Sequence, residues 1–391
     1  MKGAVVFGIP VEFFFFGLTL LGVAVFHRRN LEVAAGGLGV ILIYKLIFTD
    51  LHLVTHLALE WRLLLNLFGL LLGFAILARY FEDSRFPELL PKWLPDGWTG
   101  GFVLLVMVAV LSTFLDNIAA AIIGGVMAKK VFKGRLSVGY LAAIVAASNA
   151  GGAGSVIGDT TTTMMWIAGV PAIEVTKAFI ASAVAVVFSG IIAGRIQHRL
   201  QPIVKDPPKD LKIDAMRLLI VSFIIIGAIA ANILFEFPAA GVWAAILLGG
   251  LIRPTPWSEM SKAWKGSLFL LSLVLSASLM PVKALPDPSW QTTFGLGFVS
   301  AVFDNIPLTA LAIYQGGYDW GVLAYAVGYG GSMIWFGSSA GVAICNSFPE
   351  AKNTGRWLAE GWHVAVAYVI GFFVMLTLAG WSPDSLHLPG N

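Results

Sequence analysis

The chain has 391 residues, 58% of them hydrophobic and 12% charged, with a formal net charge of +3. Soluble domains average about 45–50% apolar and about 25% charged residues, so a soluble globular enzyme is excluded. Basic residues lie in short clusters between apolar runs, which excludes nucleic acid as a partner.

In chain order, apolar runs predict ten crossings, near 4–26, 31–48, 61–79, 137–170, 178–194, 213–235, 237–252, 266–281, 318–346 and 359–381. Most are close to the ~20 residues a helix needs to span a bilayer. Ala4 to Phe26 is too long for a signal-peptide core and lacks an Ala-x-Ala site, so it reads as a retained first span. Two further stretches, 99–129 and 290–316, carry an Asp-Asn pair at mid-length and would make poor lipid-facing helices. They read as re-entrant hairpins, which need protein or water around their irregular backbone. The single cysteine, Cys345, reads as a packing residue and leaves no disulfide or Cys-based metal site. The expected fold class is an all-α polytopic membrane protein.

With the N-terminus outside, all but six of the 25 basic residues fall in loops on one side. Arg28, Arg29, Lys129, Lys130, Lys133, Arg135 and Lys209 are among them. The exceptions are Lys2, Lys177 and Lys283 outside, and Lys45, Arg62 and Arg217 within or beside spans. This bias follows the positive-inside rule and places both termini outside. Trp93, Trp98, Trp257, Trp264, Trp290, Trp320 and Trp381 cluster at span ends and suit an interfacial belt.

The longest polar stretch, 195–212 with Pro202, Pro207 and Pro208, reads as a cytoplasmic linker between residues 1–194 and 213–391. Both halves carry the same signals. The first has Leu115-Asp116-Asn117-Ile118, then Gly151-Gly152, five residues, Gly158-Asp159-Thr160. The second has Phe303-Asp304-Asn305-Ile306, then Gly330-Gly331, five residues, Gly337-Ser338-Ser339. Five crossings and one hairpin per half make the repeat inverted, with broken helices at 137–170 and 318–346. That is the architecture of secondary transporters, whose sites form at unwound helices near the midplane. Small-residue helix contacts are the plainer account of the glycines. Their coincidence with Asp159 and four threonines favours unwinding.

Asp116, Asp159 and Asp304 lie deep in apolar context, where a charge costs at least ~2.5–3.5 kcal/mol unless it has a partner. No basic residue is near them in sequence, although Lys45, Arg62 or Arg217 could approach in space. A cation or a proton is then the natural partner. Asn117, Ser148, Asn149, Thr160, Thr161, Thr162, Asn305, Ser332, Ser338 and Ser339 surround them as neutral oxygen donors. This is a hard-cation set suited to Na⁺ or Li⁺ and poor for soft metals. The blander readings are hydroxyls bonding back to their own helix, asparagines capping hairpin tips, and interhelical hydrogen bonds for the acids. Glu12 is compatible with a proton path or with a carboxylate at headgroup level. His56 reads as a surface histidine, with titration near neutral pH as the alternative.

Thr113-Phe114-Leu115-Asp116-Asn117, Ser148-Asn149-Ala150-Gly151-Gly152, Gly158-Asp159 with Thr160 to Thr163, and Ser300-Ala301-Val302-Phe303-Asp304-Asn305 together resemble the NhaD-type sodium/proton antiporters. These belong to the ion transporter superfamily, which also holds arsenite, citrate and dicarboxylate carriers. The resemblance implies that Asp116, Asn117, Asn149, Asp159, Thr161, Thr162, Ser300, Asp304, Asn305 and Ser332 bind or relay the cation. It also implies a homodimeric elevator carrier with no cofactor beyond the transported Na⁺ or Li⁺. The expected location is a prokaryotic-type inner membrane, multi-pass. Two rivals remain: an anion carrier of the same superfamily, and an intramembrane aspartyl protease, whose signature needs glycine where Val156 stands.

Overall fold

The computed structural model describes residues 4–26, 29–205 and 212–384. Lys2, Arg28, Lys209, Pro207 and Pro208, used above for the loops, lie outside the described residues. The first apolar run divides: β1 (Val5–Val6) pairs antiparallel with β2 (Ile9–Pro10), and α1 spans only Val11–Val25. Phe7 and Gly8, both at positive φ, close this hairpin, and helix starts only after Pro10. The span expected at 4–26 is therefore shorter than the sequence suggests.

α2 (Asn30–Phe48) and α3 (Leu53–Asp83) follow. α3 runs well past the expected 61–79 at both ends, because its polar ends are matched by partners. Arg79 pairs with Glu82 and Asp83, and His56 bonds Ser278. The chain then forms α4 (Trp98–Leu111), α5 (Asn117–Val131), α6 (Val138–Ala153), α7 (Thr160–Ile167), α8 (Ala172–Thr176) and α9 (Ala178–Leu200). Next come α10 (Ala215–Phe235), α11 (Pro238–Gly250) and α12 (Ser258–Ser278). The last six are α13 (Trp290–Ser300), α14 (Asn305–Gln315), α15 (Trp320–Gly330), α16 (Ser339–Ser347), α17 (Thr354–Glu360) and α18 (Trp362–Ala379). Among the described residues, five stretches are long and apolar enough to cross a membrane: α2, α3, residues 172–200, α10 and α18. Trp320 is fully buried, so it leaves the expected interfacial belt, whereas Trp93 is exposed.

Both stretches read as hairpins do turn back on themselves. Gly124 packs on Val108 and Gly101 faces Phe132, pairs placed nearly evenly about Asp116, so α4 and α5 run antiparallel. At the base of the second, Gln315 Nε2 donates to the Pro286 carbonyl at 2.8 Å and Gly317 lies against Pro288. The broken helices are equally plain: α6 and α7 are parted at 154–159, and α15 and α16 at 331–338.

The helices sort into two packing sets. α1, α2, α3, α10, α11 and α12 pack among themselves; α4 to α9 and α13 to α18 pack among themselves. The sets meet chiefly where α12 lies on α14 and α3 on α7. Lys45, Arg62 and Arg217 stay within the first set. They pair with Glu12 at 3.4 Å, Glu236 at 3.4 Å and Asp83 at 3.2 Å, and none is paired with a repeat-motif acid. Glu12, read above as a headgroup-level carboxylate or part of a proton path, is buried beside Lys45 between α1 and α2.

Candidate cation site

Each repeated sequence signal turns out to be the N-cap of a half-helix. Asp116 precedes α5, Asp159 α7, Asp304 α14 and Ser338 α16. Short polar side chains suit that place because they accept the backbone amides that the first turn leaves unpaired. Asp159 Oδ1 accepts from the Thr161 amide at 2.9 Å, Asp304 Oδ1 from Ile306 at 3.1 Å, and Ser338 Oγ from Gly341 at 3.3 Å.

Glycines let the breaks meet the hairpin tips. A methyl group on Gly158 would come within 1.9 Å of the Ser112 carbonyl oxygen, and one on Gly337 within 2.5 Å of the Ala301 oxygen. The Asn117 amide donates to the Gly158 carbonyl at 2.9 Å, tying the first tip to the first break.

A buried polar chain then joins the two halves. Asn117 Nδ2 donates to Asn149 Oδ1 at 3.0 Å and to Asp159 Oδ2 at 3.1 Å. Asn149 Nδ2 donates to Ser332 Oγ at 2.9 Å and Ser338 Oγ at 3.1 Å. Ser339 Oγ reaches Asp304 Oδ2 at 3.4 Å. The structure therefore brings together Asn117, Asn149, Asp159, Ser332 and Ser338, with Asp304 and Ser339 as a neighbouring pair. At this site Asn305 Nδ2 is buried with no hydrogen-bond partner among the described residues.

Three candidates donate their hydroxyl protons to nearby backbone carbonyls. Ser148 Oγ bonds back to the Val145 carbonyl at 2.9 Å, and Ser300 Oγ to the Val327 carbonyl at 2.7 Å. Thr162 Oγ1 donates to the carbonyls of Ser155 at 2.5 Å and Asp159 at 2.9 Å, closing the break. Small hydroxyls readily satisfy local carbonyls, a use that sequence pattern alone does not distinguish from ligand donation.

Asp116, Asn117, Asp159, Thr160, Asn305 and Ser339 line a cavity of about 430 Å³. Its opposite wall comes from α3 and α12, with Leu71, Phe74, Gly266, Ser267 and Leu270, and its far end carries Arg79, Glu82, Glu259 and Lys262. Sequence reasoning missed this wall; its one signal is the Gly266-Ser267 interruption in an apolar run. A second cavity of about 740 Å³ lies at the other end of α3, lined by His56, Glu60, Arg62, Asn66, Glu236 and Tyr314. His56 belongs to it, bonded at 2.9 Å to Ser278 Oγ, and is not a plain surface residue.

The site offers carboxylates and neutral oxygens, the donor set of a hard cation. A family model described as citrate transporter matches residues 16–330 of the chain. The Na⁺/H⁺ antiporter NhaD of Alkalimonas amylolytica is 25% identical over 83% of this chain and 80% of its own length. The Na⁺/H⁺ antiporter NhaD of Vibrio cholerae is 26% identical over 67% of this chain and 68% of its own. Sodium/proton antiporter 1 of Arabidopsis thaliana is 28% identical over 63% of this chain, though over only 49% of its own length.

Proposed function

The chain belongs to the citrate transporter family, and on that premise we propose that it is a secondary active antiporter exchanging Na⁺ or Li⁺ for protons. The observation that carries this reading is the cluster of Asp116, Asn117 and Asp159, open to one cavity, with Asn149 bonded to Asn117 behind them. The basic residues once free to approach the acids are engaged elsewhere. A buried carboxylate without a fixed counterion takes either a metal cation or a proton, and competition for one site couples the two fluxes.

In this reading Asp116, Asp159 and Asp304 hold the exchanged ion. Asn117, Asn149, Thr160, Thr161, Asn305, Ser332, Ser338 and Ser339 supply or position neutral donors. Ser148, Thr162 and Ser300 fix the surrounding backbone. Residues 1–194 and 213–391 act as inverted repeats, and the set holding the hairpins moves against α1 to α3 and α10 to α12. Each face of the membrane gains access in turn, with both termini outside and the protein working as a homodimer. The named relatives, which are sodium/proton antiporters, support the choice of ions.

The family description and the converging half-helix N-termini favour a second reading, carriage of a citrate-like anion. Those N-terminal amides are already accepted by Asp159, Asp304 and Ser338, which weighs against it. The test is the response of a pH gradient in proteoliposomes to Na⁺, Li⁺, K⁺ or citrate, with wild type and Asp304→Asn side by side. Collapse triggered by Na⁺ or Li⁺ and lost in the variant is the expected result. A response to citrate alone overturns the cation reading.

A further inference from the structure

The far end of the 430 Å³ cavity carries four charged side chains in two local pairs, one on each wall. On α3, Arg79 Nη1 lies 3.2 Å from Glu82 Oε2; on α12, Lys262 Nζ lies 2.8 Å from Glu259 Oε1. Formal charge cancels within each pair, but exposure does not. Glu259 is 18% exposed against 69% for Lys262, and Glu82 36% against 46% for Arg79.

Arg79 is also shared with a second carboxylate. Its Nε lies 3.1 Å from Asp83, a carboxylate shared with Arg217 at 3.2 Å. Glu82 thus holds its cation in common with Asp83 on a chain of ion pairs leading off toward α10. Water screens the outer cations more than the sheltered carboxylates, and apolar walls of Phe74, Leu71 and Leu270 focus the remaining field inward. Deeper in the same cavity lie Asp116, Asp159 and Thr160, beside the unpartnered Asn305 amide.

We infer that Glu82 and Glu259 are positioning residues that collect cations at this mouth and raise their local concentration at the aspartates, with Arg79 and Lys262 setting the strength of that attraction. This rests on the cation-exchange reading above. The two carboxylates touch no part of the deep site, so their work lies in the approach of the ion and not in its exchange.

The test uses everted membrane vesicles, in which the loop-rich basic side of the proposed topology faces the medium. Na⁺ dependence of exchange is measured at low ionic strength and again with added choline chloride. Glu82→Gln with Glu259→Gln should raise the apparent KM for Na⁺ about threefold or more at low ionic strength, and choline should shrink that gap. The effect should fall on KM and not on the maximal rate. Lys262→Gln should move KM the opposite way, a reversal that loss of packing does not produce, and it keeps the inference testable if the double variant fails to fold. Unmoved KM values in an active protein, or the same sign of change for Glu259→Gln and Lys262→Gln, overturn this inference alone. A wild type that exchanges no cation removes the exchange reading together with it.

Discussion

The two halves of the molecule set like helix breaks beside like hairpin tips and surround them with different chemistry. In each, a hairpin tip presses on a glycine at a helix break. Gly152 sits against the Gly158 carbonyl as Gly331 does against the Gly337 carbonyl, each at 2.7 Å from where a methyl group would project. Yet Asp159 in the first half corresponds to Ser338 in the second, and Asn149 to Gly328. A methyl group on Gly328 would lie 3.7 Å from Asp159 Oδ2, so the second half gives up a side chain where the first half places its acid. The first half supplies two acids and the bonded Asn117–Asn149 amides, whereas the second supplies one acid, Asp304, and the hydroxyls that orient Asn149. The lesson is that repeated backbone geometry sets where a ligand can sit, while unequal side chains decide which ligand it is.

The largest expected contrast follows directly. Asp159→Asn should abolish Na⁺-driven collapse of a pH gradient, since it removes a carboxylate that accepts from both Asn117 and the α7 amide. Ser338→Ala removes only a hydroxyl acceptor and should leave measurable exchange with a higher KM for Na⁺. Equal loss in both variants would show that the halves contribute alike, and would break the comparison.

Next in size are the close approaches. Gly158→Ala puts a methyl group 1.9 Å from a backbone oxygen, against 2.5 Å for Gly337→Ala. Overpacking costs about 1–3 kcal/mol and sometimes more, with the first variant at the upper end. Thermal unfolding in detergent should rank Gly158→Ala as the less stable of the two.

Much of this arrangement was legible in the sequence because it is local. A break followed by a capping residue is written as Gly-Gly-x5-Gly-[Asp/Ser], and an Asp-Asn pair in an apolar run marks a hairpin tip whatever surrounds it. Contacts across the chain were not legible. Nothing near Asn149 announces Ser332 or Ser338 as its acceptors, far along the chain. The polar ends of α3 looked like loop until ion pairs within the helix and with α10 accounted for them. Thr162 carries the same hydroxyl as any cation ligand would, and only the structure shows its proton directed at the Ser155 carbonyl.

The paired asparagines sharpen the comparison further. Asn117 Nδ2 serves two acceptors, whereas Asn305 Nδ2 has none among the described residues. Asn117→Ala should therefore cost about 1–3 kcal/mol of stability, by leaving Asn149 and Asp159 short of a donor, and Asn305→Ala less than about 1. The difference is readable as a larger drop in unfolding midpoint for Asn117→Ala, measured without Na⁺ so that lost ligand binding does not contribute.

The smallest effects should differ in sign. Ser112 and Ser300 stand at equivalent places, each four residues before its hairpin aspartate. Ser300 Oγ bonds the Val327 carbonyl at 2.7 Å and so links α13 to α15, while Ser112 Oγ is buried without a partner among the described residues. Removing a satisfied buried hydroxyl costs about 1 kcal/mol, whereas removing an unsatisfied one relieves a desolvation cost of similar size. Ser300→Ala should lower the unfolding midpoint and Ser112→Ala should hold or raise it. A fall for both would mean that Ser112 finds a partner in the working protein, and a cation held at the neighbouring Asp116, ligated by the hydroxyl oxygen, is then the partner to test, by repeating the measurement across Na⁺ concentrations.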